Sequence, residues 1–148
     1  MGRVFGPEYI LAAANGQEAL HLLQSQADPV GVIVLDVMMP VMDGIATCRA
    51  LRADPAYEGV YIVMLTGRDG GLPEGLEVGA DVYLRKPCVI EELVAVVNKG
   101  LQEYERHCTL KTERIHLART LRQVEEEKDR LPRANTYVDV PFSRGPQG

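Results

Sequence analysis

The chain reads as an α/β protein: an open, doubly wound parallel sheet followed by one long helix. Three observations predict this. Val30–Leu35 and Val60–Leu65 are short runs rich in β-branched residues and apolar on both faces, as central strands covered by helices are. Stretches of helical spacing stand between the strand candidates, so strand and helix alternate and the crossovers are right-handed. From Ile90 onward no strong helix breaker appears before Pro132.

In chain order, Tyr9-Ile-Leu-Ala-Ala13 is a short strand candidate ended by Asn15-Gly16. Gln17 to Gln26 follows as a helix whose apolar face is Ala19, Leu20, Leu22, Leu23 and Ala27, stopped by Asp28-Pro29. The Val30–Leu35 strand ends abruptly in Asp36, and Pro40 and Asp43-Gly44 mark a loop. Ile45 to Ala53 is a second helix, closed by Asp54-Pro55. The Val60–Leu65 strand ends at Thr66, and Gly67–Gly71 is loop. Pro73 suits the first turn of a short helix reaching Val78. Gly79-Ala-Asp81 turns into a brief strand, Val82–Leu84, followed by Arg85-Lys86-Pro87.

The last helix opens near Ile90 with Glu91 and Glu92 in its first turn, where the helix dipole favours acids. Two apolar stripes run along it. Val97, Leu101, Tyr104, Cys108, Ile115 and Ala118 form one; Leu110, Leu117, Leu121, Val124 and Leu131 form the other. The spacing predicts an amphipathic helix that either folds back on its own domain or pairs as a coiled coil. Gly100 interrupts it at a cost near 1 kcal/mol. The tail, 132–148, holds three Pro and two Gly and is expected to be disordered.

Composition removes several functional classes. The 148 residues carry a net charge of −5, against the clustered Lys and Arg that phosphate contacts need, so direct nucleic-acid binding is not expected. No apolar run approaches the roughly 20 residues of a membrane span. The three cysteines, Cys48, Cys88 and Cys108, are widely spaced and imply neither a disulfide framework nor a zinc site, so a reducing cytoplasm is the expected location. Residues 1–100 carry 7 Lys and Arg against 13 Asp and Glu, whereas residues 101–148 carry 9 against 8. That shift predicts two regions.

The chemistry is expected at the carboxyl ends of the strands, where open α/β sheets form their sites. Asp36, Thr66 and Lys86 end three successive strands: a carboxylate, a hydroxyl and an ammonium converging on one crevice. A carboxylate can take a phosphoryl group as an acyl phosphate, while an ammonium neutralises the phosphoryl oxygens and a hydroxyl donates to one. Taken singly, Asp36 reads as a turn cap, Thr66 as a loop cap and Lys86 as a solvated charge; the combination favours chemistry. No P-loop, G-x-S-x-G, G-x-G-x-x-G or H-E-x-x-H pattern is present, and His21, His107 and His116 are scattered, so turnover as an enzyme is not expected.

Four segments carry a resemblance. Val34-Leu-Asp-Val-Met-Met-Pro-Val-Met-Asp-Gly44 resembles the phosphoacceptor segment of response regulator receiver domains (CheY-like, two-component signalling). Met64-Leu-Thr-Gly67 resembles that family's switch segment, and Gly79-Ala-Asp-Val-Tyr-Leu-Arg-Lys-Pro87 its last strand and cis-peptide loop. Ala14-Asn-Gly-Gln-Glu-Ala-Leu20 resembles the turn and helix after its second strand. The resemblance covers about residues 9–100 and implies a flavodoxin-like fold and a phosphorelay switch. It implies Asp36 as phosphoacceptor, the Met38 backbone carbonyl as a metal ligand, Thr66 and Tyr83 as switch residues, and Lys86 as phosphoryl partner across a cis Lys86–Pro87 bond. Mg2+ is the implied cofactor, and a sensor histidine kinase or phosphotransfer protein the implied partner.

The chain departs from the family at its start. Four of the five strands are legible; the first strand, its helix and the acidic pair that binds Mg2+ are not, and Glu8 stands alone. The expectations are an N-terminally truncated receiver domain over 1–100, a helical linker or coiled coil over 101–131 with homodimerisation through it, and weakened Mg2+ binding. A poorly folded isolated chain and impaired phosphotransfer to Asp36 are expected with these. Thr136-Tyr-Val-Asp-Val140 is a β-prone stretch able to fill the vacant sheet position, with Pro141 counting against it. The segment from Thr66 to Gly79 is shorter than the family's usual form. The alternative function is a phosphorylation-independent adaptor or dimerisation module; an aspartyl phosphatase is disfavoured because Met38 stands where such enzymes want a second acid.

Overall fold

A computed structural model describes residues 10–67 and 78–132. The chain divides into two compact units, 1–110 and 111–148. In the first, α1 (Gly16–Ser25), β1 (Val32–Asp36), α2 (Gly44–Ala53), β2 (Tyr61–Thr66) and β3 (Val82–Arg85) precede α3, which runs Ile90–Arg130 into the second.

The described sheet has three strands in the order β1-β2-β3, all parallel. This corrects the expected four. Residues 10–13 form no strand, Ile10 and Leu11 stand 62% and 47% exposed, and Tyr9 lies outside the described residues. The segment has the composition of a strand, but a strand is held by its ladder, and none of the described strands pairs with it. The Val30–Leu35 run joins β2 from the Tyr61 N to Gly31 O bond onward, and with no described neighbour on its other side β1 is an edge strand of the described sheet rather than a central one. Val34, in its middle, is 40% exposed. β2 is the central strand, and Ile62, Val63 and Met64 on it are fully buried, each contributing roughly 1.5–3 kcal/mol.

The sheet is covered on both faces. On one, Leu35, Val60, Ile62 and Met64 pack with Cys48 and Leu51 of α2 and with Leu20 and Leu23 of α1. On the other, Tyr61, Val63 and Leu84 pack against Leu93 and Val96 of α3. Gly100 is the one buried residue of α3, and a Cβ there would meet the Tyr61 ring at 2.5 Å and Val32 at 3.0 Å. The helix interruption that looked like a cost is the point at which α3 closes on the sheet. Tyr104 and Leu101 lie over Gly31 in the same way.

Helix starts follow their caps. The Asn15 side chain accepts from Glu18 N, while Glu18 reaches back to Ala14 N, both at 2.9 Å. Asp43 Oδ1 accepts from Ala46 N at 2.7 Å and opens α2. The expected short helix from Pro73 lies mostly outside the described residues, as do the tail beyond 132 and the Thr136–Val140 stretch.

Candidate functional site

Strand register builds the site. Asp36 pairs with Leu65 on β2, and Leu65 pairs with Leu84 on β3, so the three chains end side by side. Val37 N donates to Leu65 O at 3.0 Å and Lys86 N to Thr66 O at 2.7 Å, carrying the ladder one step past each strand. Asp36, Thr66 and Lys86 thus stand at the carboxyl edge, as their positions in the sequence predict.

Lys86 Nζ donates to Asp36 Oδ2 in a direct ion pair. Met38 N donates to Asp36 Oδ1 at 2.9 Å. Both carboxylate oxygens therefore hold a donor. Burial pushes the Asp36 carboxyl up; the Lys86 hydrogen bond, the Met38 N–H and the Lys86 charge together outweigh it and hold the group below the ordinary carboxylate range. The Thr66 hydroxyl donates to the Leu84 carbonyl at 3.4 Å, and Tyr83 is 41% exposed on the same strand. The structure joins Asp36 to Lys86 and leaves the Thr66 hydroxyl on the β3 backbone. The Lys86–Pro87 bond is cis.

The loop after Asp36 is tightly set. Met42 N donates to Pro40 O at 2.7 Å around Val41, whose φ is +66°, a left-handed conformation that a β-branched residue rarely adopts. Gly44 N donates to Val37 O at 3.2 Å. Here the chain turns back on itself: a Cβ on Gly44 would press into the Asp36 carbonyl oxygen.

The depressed Asp36 carboxyl has a consequence for stability. Its contribution is present above the unfolded aspartate value of about 3.9 and is lost as pH falls through the lower folded value. Lys86→Gln removes the principal lowering partner, so the Asp36 carboxyl carbon is expected to titrate at higher pH by NMR. The acid limb of the stability curve should shift upward with it. An unchanged Asp36 midpoint in that variant would show that the ion pair does not form in solution.

The sequence pattern of the response regulator receiver domain family matches residues 6–98. The chain belongs to this family. "Response regulator MprA" of Mycolicibacterium vanbaalenii is 46% identical over 85 residues, which is 56% of this chain and 35% of that protein. The chain thus spans about a third of the length of the curated relatives it matches. A putative response regulator from Chloroflexus aurantiacus is 34% identical at a TM-score of 0.53, covering 61% of this chain and 74% of that one. A CheY-like receiver domain protein from Methanospirillum hungatei is 28% identical at a TM-score of 0.56, covering 65% and 76%. The fold is accordingly flavodoxin-like, and the chain holds a receiver domain of two-component signalling. Among the described residues no helix is long and apolar enough to cross a membrane.

Receiver domains as a family bind Mg2+. Among the described residues, no group of three or more His, Cys, Asp or Glu converges, and Asp36 already engages Lys86. One such carboxylate and a Met38 carbonyl do not make a cation cage.

Sequence reasoning missed the opposite end of the sheet. Arg52, in the last turn of α2, donates through Nε to Gly79 O at 2.7 Å, through Nη1 to Val60 O at 2.8 Å and through Nη2 to Asp81 Oδ2 at 2.7 Å. Asp81 Oδ2 also accepts from Ile62 N at 2.7 Å. This clamp ties α2 to the starts of β2 and β3. Nothing local in the sequence links residues 52 and 81.

Proposed function

We propose that this receiver domain accepts a phosphoryl group on Asp36, from a sensor histidine kinase or phosphotransfer protein, and so switches a surface read by a partner or output module. The Lys86–Asp36 ion pair at the carboxyl edge of the sheet carries the reading. An aspartate held ionised there is a competent nucleophile. One carboxylate oxygen attacks phosphorus, the donor's imidazole leaves, and the Lys86 ammonium moves from the carboxylate to the incoming phosphoryl oxygens. The phosphoryl group brings nearly two negative charges. The Thr66 hydroxyl, held among the described residues by a long bond to Leu84, can leave it and donate to a phosphoryl oxygen; Tyr83 follows on the adjoining strand.

In this reading Met38 contributes its backbone to the phosphoacceptor loop. Residues 1–100 are the receiver, residues 101–131 are the connector from switch to output, and the protein works in the cytoplasm. The intact Asp36–Lys86 pair favours this over an adaptor that never takes phosphate.

Incubation of the full chain with acetyl phosphate and Mg2+ tests the reading by intact mass and peptide mapping. The expected result is slow, hydroxylamine-sensitive addition of one phosphoryl group at Asp36, absent in Asp36→Asn and reduced in Lys86→Gln. Label on another residue, or label that survives Asp36→Asn, would overturn it.

A further inference from the structure

Every residue from 109 to 132 is exposed. A helix with no packed face has little to hold it, because most helical stability comes from packing rather than propensity. This segment includes three threonines, and its i,i+4 charge pairs reduce to Arg122–Glu126–Arg130. What it does carry is a seam. Leu110, Leu117, Val124 and Leu131 recur every seven residues, and Leu121 stands four after Leu117 and three before Val124. Each of the five is more than half exposed.

The period identifies the occupant. A helix laid on a globular surface presents a broad stripe of period 3.6, whereas a strict seven-residue repeat keeps a narrow seam facing another helix of the same pitch. Leu110, Leu117, Val124 and Leu131 occupy d positions and Leu121 an a position, and polar residues at the remaining a positions are what set register and strand number. The other a positions beside the seam are Arg114 and Lys128, each preceded by an acid at g, Glu113 and Glu127. In a parallel pair in register, a g residue of one chain flanks the a residue of the other. Arg114 then meets the partner's Glu113, and Lys128 meets the partner's Glu127, so each basic residue in the seam has an acid supplied by an identical chain. The antiparallel alignment of the same seam sets Glu113 against the partner's Glu127 and Lys111 against the partner's Glu125, each twice, so that its flanking charges cancel where the parallel form gives every basic seam residue an acid. The like-charged neighbours in the parallel form are Arg114 and Lys128, each facing the same residue of the partner across the seam with the partner's acid at g beside it, and Arg106 with the partner's Lys111 at the end of the seam.

We propose that residues 110–131 pair with the same segment of a second copy as a parallel, in-register, two-stranded coiled coil about 33 Å long. This pairing does not depend on phosphorylation of Asp36.

Light scattering on the full chain at micromolar concentration should give twice the 16.3 kDa chain mass. Oxidised Leu121→Cys should form a disulfide between the two introduced thiols, while a mixture of Leu117→Cys and Leu121→Cys chains should form few mixed links. Glu113→Lys with Glu127→Lys should run as a monomer, as should Arg114→Glu with Lys128→Glu. Mixing those two variants should restore the dimer, which excludes misfolding as the cause. A monomeric or trimeric wild-type chain, predominance of the mixed Leu117/Leu121 link, or no dimer on mixing the charge variants would each overturn the proposal.

Discussion

Arg52→Ala is expected to lower the unfolding free energy by about 3 kcal/mol, through loss of charge-assisted hydrogen bonds and exposure of the acceptors they satisfied. The guanidinium reaches the carbonyls of Gly79 and Val60 and the carboxylate of Asp81 at 2.7–2.8 Å, and its side chain is 23% exposed. No other described side chain donates to the Gly79 and Val60 carbonyls, and Asp81 then keeps its bond from Ile62 N. Arg52→Lys should recover little, because one ammonium cannot span three acceptors in a plane. Asp81→Asn should cost less than Arg52→Ala, since the two carbonyl bonds remain. Denaturant midpoints for the three variants decide this. A loss below about 1 kcal/mol in Arg52→Ala would mean that water satisfies those carbonyls and the clamp is incidental.

The two ends of the sheet differ in how much of them the sequence announces. The site end was legible because each of its parts is written locally: an apolar run stopped by Asp36, another by Thr66, a third followed by Lys86 and Pro87. Parallel pairing then brings strand ends together whatever the loops do, and the register of Asp36 with Leu65 and of Leu65 with Leu84 does so here. The clamp end was illegible because it joins the last turn of one helix to a turn 29 residues later. Arg52 reads locally as a favourable charge at a helix C-terminus, and Asp81 as part of a turn. Gly100 misled in the other direction: propensity counts a helical glycine as a loss, and only the approach of Tyr61 shows what its missing side chain permits. The Tyr9 strand failed for a third reason. Alternation and composition describe what a segment can do in a sheet, but a strand exists only where a neighbour supplies its hydrogen bonds. Val41 carried no signal at all, since nothing in a valine predicts a φ of +66°.

Gly44→Ala is expected to cost about 3 kcal/mol and to disturb the Asp36 carboxylate together with the fold. A Cβ at this position would press into the Asp36 carbonyl oxygen, with the carbonyl carbon at 2.8 Å and Met64 Sδ at 3.1 Å. The obstacle is backbone on one side and a fully buried side chain on the other, so neither can yield by rotating into solvent. Relief requires the first turn of α2 to withdraw from β1. That withdrawal stretches the 3.2 Å bond from Gly44 N to Val37 O and carries with it the loop that presents Met38 N to Asp36. Both lowering partners of the carboxyl depend on where this strand end sits, so its titration should move up as stability falls. Gly67→Ala is the control: it also follows a strand end at the site, but a Cβ there meets nothing within 4 Å, and its cost should stay under about 0.5 kcal/mol. If Gly44→Ala matches Gly67→Ala in stability and leaves the Asp36 midpoint in place, the close approach of α2 to the phosphoacceptor strand is not what fixes that carboxylate.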